Sequence, residues 1–278
     1  MGTIHATKSG LTYHNLAGAT LEEVAAYVRL RPVATPGELY LRKQRDPDSN
    51  ANKDFYSRFP VYKLWRELPG TLRILTMPGL KWQLERRILD WRVKRGLKTQ
   101  ITAVERDHAI FRLALHWMPS EGYKWKKGEL QVMDDKSVKS DVAWYEQREV
   151  EDVIANTDWK WDGAWLDWNG QLTEAKLFAL KTLWPRLGHS LVVTVRGSRQ
   201  EPTLTRKLAS AGGYGPFMAK FLGVDPRQVG EDGYLSGHAR FWQVTVMKKG
   251  KAVEHGLRFI NGIRIDQLLN GKPARPVS

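Results

Sequence analysis

The stretch from Thr71 to Asp107 constrains the fold most. Thr71-Leu72-Arg73-Ile74-Leu75-Thr76 is a short β-rich run, broken by Met77-Pro78-Gly79. Leu80 to Arg95 then follows a helical pattern, with Leu84, Ile88 and Trp91 on one face and Gly96 able to close it. Gln100 to Val104 is a second apolar strand, and Glu105 stands at its C-terminal end. Strand, turn, helix and strand in this order predict a βαβ unit. Its turn and its carboxylate would share one edge of a parallel sheet, where nucleotide-like cofactors bind.

The pattern continues down the chain. Leu130–Met133 reads as a third strand ending at Asp134-Asp135, Ala164–Asp167 as a fourth and Ser190–Val195 as a fifth. Helical patterns occupy Asp107–Trp117, Asp141–Asn156, Glu174–Trp184 and Thr203–Ser210. Ala239–Met247 and Ala252–Ile260 flank a turn at Lys248-Lys249-Gly250-Lys251 and read as an antiparallel hairpin. The expected architecture is α/β: a Rossmann-like, doubly wound, mainly parallel sheet with a C-terminal antiparallel hairpin and an N-terminal extension. The expected domains are an extension over 1–68, an α/β domain over 69–262 and a tail over 263–278. In the extension, Thr20 to Leu30 fits a capped helix and Arg42 to Asp54 a polar loop. Phe55 to Arg66 alternates aromatic and basic residues. That segment either holds a single strand or a flipped base, or docks the extension onto the domain.

Cysteine is absent, which excludes disulfides, thiolate metal sites and a cysteine nucleophile. The 7 His show no metal-ligand spacing, so no metal site is expected. No segment is apolar enough to span a bilayer, and the N-terminus lacks the apolar core of a signal peptide. A cytoplasmic location is expected. A net charge of +14 over 278 residues, together with 12 Trp, points to nucleic acid as partner. Candidate backbone contacts are Lys124, Lys126 and Lys127, Arg196 and Arg199, and Lys248 and Lys249. Lys81, Arg86, Arg87, Arg92 and Lys94 form a basic face of the first helix, read as solvated. Trp159, Trp161, Trp165 and Trp168 are either a stacking wall beside the crevice or core packing.

Three predicted strands end in acid, at Glu105, Asp134-Asp135 and Asp167, ahead of a terminal hairpin. This order resembles the class I S-adenosylmethionine-dependent methyltransferases over roughly Leu72 to Ile260. The resemblance implies S-adenosylmethionine as cofactor. It places Thr76, Pro78 and Gly79 in the cofactor loop, Glu105 at the ribose and Asp134 or Asp135 at the adenine. It places Asp167, Trp168 and Asn169 at the catalytic, substrate-facing position. The interval from Gly79 to Glu105 exceeds the roughly 20 residues of a dinucleotide fingerprint, which argues against a NAD site. The expected activity is methyl transfer to nucleic acid at an amino nitrogen. The alternative is a non-catalytic nucleic-acid- or protein-binding module on a degenerate methyltransferase fold.

Overall fold

The computed structural model describes residues 53, 57–79, 82–106, 149–168, 170–197, 202–233 and 241–252 with their side chains. It describes the backbone alone of 6–7, 10–11, 123–126, 129–132, 140–146, 234–236 and 239–240. In chain order the elements are α1 (Phe59–Arg66), β1 (Leu72–Thr76), α2 (Gln83–Val93), β2 (Thr99–Glu105), β3 (Tyr123–Lys126), β4 (Glu129–Val132) and β5 (Ser140–Glu146). There follow α3 (Val150–Asn156), β6 (Trp161–Asp167), α4 (Glu174–Leu183), β7 (Leu187–Arg196), α5 (Pro202–Ala211), α6 (Tyr214–Leu222), β8 (Val229–Ser236) and β9 (Ala239–Met247). Ala6–Thr7 and Gly10–Leu11 pair as a separate two-stranded ladder.

One nine-stranded sheet runs in the order β8-β9-β7-β6-β1-β2-β5-β4-β3. Strands β5, β2, β1, β6 and β7 are mutually parallel. The order reverses between β1 and β6, so the crevice of a doubly wound sheet opens at their C-terminal ends. An antiparallel hairpin closes one side, with β9 against β7 and β8 outside it. The β3–β4 hairpin extends the other side.

The expected fold class holds, with three corrections to its parts. The third parallel strand is Ser140–Glu146, inside the segment expected as the helix Asp141–Asn156. Only Val150–Asn156 of that segment is helical. The run around Leu130 is a strand, but it lies antiparallel on β5. The terminal hairpin pairs Val229–Ser236 with Ala239–Met247. Its expected second strand, Ala252–Ile260, lies almost wholly outside the described residues. Gly213 serves as the N-cap of α6. The helices expected at Thr20–Leu30 and Asp107–Trp117 lie outside the described residues, as does most of the polar loop Arg42–Asp54.

The two faces of the sheet differ chemically. One face carries Leu75, Val104, Leu166, Val193 and Val195 and packs against α3 to α6 in the main apolar core. The other carries Thr76, Asp167, Ser190, Thr194, Gln243 and Thr245, all buried. Helix α1 covers this polar-studded face through Val61, Leu64 and Trp65. Trp65 Nε1 donates to Ser190 Oγ at 2.8 Å. It fits there because Gly163 of β6 has no side chain; a Cβ at that position would lie 2.5 Å from Trp65 Cε2. Within the aromatic-basic segment, α1 thus packs on the sheet.

Arg92 corrects the solvated basic face. It is fully buried, and its guanidinium donates to Thr99 Oγ1 and to the carbonyls of Arg66, Leu68, Gly70 and Lys98 at 2.6–3.1 Å. These bonds tie the end of α2 to the segments that lead into β1 and β2.

Gly163→Ala should lower stability by about 1–3 kcal/mol, because the added methyl meets the packed Trp65 ring. Urea denaturation measures it; an unshifted midpoint would contradict this packing.

Candidate active site

The C-terminal ends of β1, β2, β6 and β7 frame the candidate site. Strand β1 delivers Thr76, fully buried, into the loop Met77-Pro78-Gly79. Gly79 turns the chain with a φ of 62°, and Trp82 enters α2 with a φ of 47°. A buried tryptophan in the left-handed region is strained by about 1–2 kcal/mol, so packing must hold the turn. Glu105 ends β2, two residues past Ala103, which pairs with Thr76. Asp167 ends β6 and pairs in register with Thr194 of β7, which pairs with Gln243 of β9. In-register neighbours project to one face, so Asp167, Thr194 and Gln243 make one polar row.

The segment before α1 lies over this row. Lys53 Nζ donates to Asp167 Oδ2 in a buried ion pair. Ser57 Oγ donates to Gln243 Oε1, and Gln243 Nε2 returns a bond to the Ser57 carbonyl. Trp165 Nε1 donates to Thr194 Oγ1 at 3.3 Å. Asp167 Oδ1, Thr76 Oγ1 and both oxygens of Glu85 are buried without a well-formed hydrogen bond. Glu85 itself is fully buried on α2.

Burial governs the charges here. Desolvation lowers the Lys53 pKa against the pull of Asp167, and the nearby Arg58 charge lowers it further. Desolvation raises the Glu85 pKa to about 7; the Asp167 charge adds to this, while the Thr76 hydroxyl and Arg58 oppose it. Desolvation thus works against the charged form of both groups, a lysine and a carboxyl in one crevice. Perturbed groups of this kind make the crevice a candidate functional site.

Of the sequence candidates, the structure brings Thr76 and Asp167 together around the crevice and puts Glu105 at the same edge. Pro78 and Gly79 form the turn beside them. Trp168 is in the apolar core, with Lys176 Nζ 5.3 Å from its ring, and offers no open stacking face. Asn169, Asp134, Asp135, Lys127 and Arg199 lie outside the described residues. The strand before Asp134 is antiparallel, so its C-terminal end points to the opposite edge. Arg196 ends β7 at the crevice edge, its backbone N–H on the Gly170 carbonyl. Lys248 follows β9 at the far edge, its N–H on the His189 carbonyl, and Lys249 comes next. Lys124 and Lys126 belong to β3, the outermost strand. Among the described residues no cluster could hold a metal ion, and no helix is long and apolar enough to cross a membrane.

Sequence reasoning missed Lys53, Arg58, Ser57, Glu85 and Gln243. Lys53 and Ser57 are four apart in sequence, a spacing that suits one face of a helix, and that is the available local signal. Glu85 stands in a helix whose apolar stripe draws attention elsewhere.

Glu85 gives a pH prediction. An unfolded glutamate titrates near about 4.3, and the folded one near about 7. Between these values the folded state binds more protons, so stability falls as pH rises. Glu85→Gln should therefore gain on the native protein from pH 5 to pH 8, by on the order of 2 kcal/mol. Thermal melts at the two pH values measure the difference.

No family model matches the chain, and no curated protein is similar to it. Solved structures are similar to it in fold. An rRNA methylase from Streptococcus thermophilus is 12% identical, covering 68% of this chain and 95% of that one, with a TM-score of 0.40. The magnesium protoporphyrin IX methyltransferase ChlM from Synechocystis PCC 6803, with bound SAH, is 11% identical over 80% of this chain and 91% of that one, at a TM-score of 0.44. A precorrin-6y C5,15-methyltransferase from Geobacter metallireducens GS-15 is 12% identical over 69% and 86%, at 0.42. The sheet of this chain, with its order reversal between β1 and β6 and its closing antiparallel hairpin, is Rossmann-like and doubly wound.

Proposed function

We propose that the chain is an S-adenosylmethionine-dependent methyltransferase that acts on RNA, with a hydroxyl oxygen as acceptor. The observation that carries this is the buried Lys53–Asp167 pair at the C-terminal end of β6. An amino nitrogen, the acceptor expected from sequence, already carries its lone pair and needs no strong base. A hydroxyl does need a base, and the desolvation that lowers the Lys53 pKa favours the neutral amine that can act as one. Within a nucleic-acid strand, RNA offers that hydroxyl at each ribose.

The residues present fit the cofactor. Glu105 would accept from ribose hydroxyls, and Thr76, Pro78 and Gly79 would line the turn beside it. Thr76 Oγ1 and Asp167 Oδ1 offer hydrogen bonds to a ligand. When bound, S-adenosylmethionine supplies an electrophilic methyl group. Asp167 holds Lys53 in place through its Oδ2, and neutral Lys53 Nζ accepts the proton that the acceptor hydroxyl gives up. Gln243 and Ser57 fix each other beside that position. Burial of the row excludes water, which strengthens each of these polar contacts.

Lys53→Ala should lower the methylation rate by about 100-fold or more while S-adenosylmethionine binding by calorimetry is retained. The native rate should climb with pH as Lys53 loses its proton. Methylated RNA, digested to nucleosides and weighed by mass spectrometry, should carry the methyl on ribose. A methyl on a base nitrogen would return the reading to the amino acceptor. No heat with the cofactor would favour a binding-only module.

A further inference from the structure

The tryptophans expected beside the crevice divide between the two edges of the sheet. Trp165 lies at the crevice row, but Trp159 precedes β6 at the N-terminal edge. Eight residues of extended chain, roughly 25 Å, separate it from Asp167. There it lines a cavity of about 550 Å³ with Trp161, Ile101, Arg73, Lys160 and Gln100. Trp159 remains 44% exposed.

The platform is rigid. Trp161 is buried, and its Nε1 donates to Thr102 Oγ1 at 2.9 Å. Trp159 meets it edge-on, with ring centroids 6.4 Å apart and an interplanar angle of 60°. The Arg186 guanidinium lies 5.4 Å from the Trp161 ring and is held by the carbonyls of Ile154 and Thr157. Arg73 Nε donates to Gln100 Oε1 at 3.0 Å. The acids nearby are engaged: Asp162 accepts from the Arg73 backbone N–H at 2.7 Å, and Asp158 faces Arg186. The same edge of the sheet carries Lys248, whose Nζ is 3.9 Å from the Trp184 ring.

We propose that this pocket is a second RNA site, which takes one unstacked base against Trp159 and its phosphates on Lys160 and Arg73. An exposed indole beside two cations is the chemistry that grips a single strand without reading its sequence. The volume admits a nucleobase. The site engages RNA away from the reacting end and contributes affinity, with no part in proton transfer. It rests on the reading of RNA as substrate.

Anisotropy of a labelled single-stranded RNA 12-mer tests it at fixed salt. Trp159→Ala should weaken binding by about tenfold, and Trp159→Phe should keep most of the affinity. Lys160→Glu with Arg73→Glu should weaken it and flatten its salt dependence. Circular dichroism and cofactor calorimetry on the same proteins check the fold. Photocrosslinking should mark the peptide around Trp159. Native affinity in a folded Trp159→Ala protein that still methylates RNA overturns this site alone. Trp159-dependent RNA binding without cofactor binding keeps the site and removes the catalytic reading.

Discussion

The packing of Trp65 on Gly163 fixes the rest of the site. Of the aromatic side chains of α1, Trp65 is the one fully buried against the polar-studded face. It fits there because β6 leaves a gap at Gly163. From there the geometry follows by counting. Trp65 to Ser57 is eight residues of helical chain, about 12 Å. Gly163 to Asp167 is four residues of strand, about 13 Å. With Trp65 anchored over Gly163, Ser57 and Lys53 arrive over Gln243 and Asp167. The extension thus supplies the lysine of the proposed chemistry, although its sequence reads as an appendage.

The difference between the two faces explains why charge can be buried here. On the apolar face, helices α3 to α6 cover branched aliphatic side chains and need no polar partners. The other face accepts Lys53, Glu85, Arg92 and Asp167 in the interior. Arg92 is compensated by its ring of acceptors and acts as a structural tie. Lys53, Asp167 and Glu85 are compensated in part, and polar atoms without well-formed bonds remain among them. An interior of this kind stores free energy that a purely structural core would release by apolar substitution. Arg92 and Glu85 stand about two turns apart on α2. The contrast between them separates a buried charge that holds the fold from one that is poised to change.

Legibility in the sequence follows local pattern. Strands β1, β2, β6 and β7 are apolar runs with clear breakers, and the sequence places them within a few residues of their bounds. Strand β5 escapes, because its apolar run Val142-Ala143-Trp144-Tyr145 is short, is flanked by acids and leads toward helix α3. The hairpin is displaced by one strand because Val229-Gly230-Glu231-Asp232-Gly233 reads as a turn. Its strand conformation is imposed by pairing with β9. Glu231 also makes a tertiary contact, its Oε2 accepting from the Gly215 N–H at 2.8 Å. Lys53 and Arg92 are illegible for a shared reason. Lysine and arginine are surface residues by default, and only long-range partners such as Asp167 or the Leu68 carbonyl reverse that.

The distribution of positive charge bears on how a polyanion would approach. The excess of cations in the composition points to a basic crevice. At the crevice edge, however, cations face acids. Lys53 is paired with Asp167, and Arg106 lies 3.3 Å from Glu149. At the opposite edge, Lys248 and Arg95 lie over tryptophan rings, as does Arg186, which also faces Asp158. The field of such an edge attracts phosphate over a Debye length of about 8–10 Å in ordinary salt. A strand captured there would meet the candidate crevice from the far side of the sheet. Charge density and the proposed chemistry are then divided between two edges of the sheet.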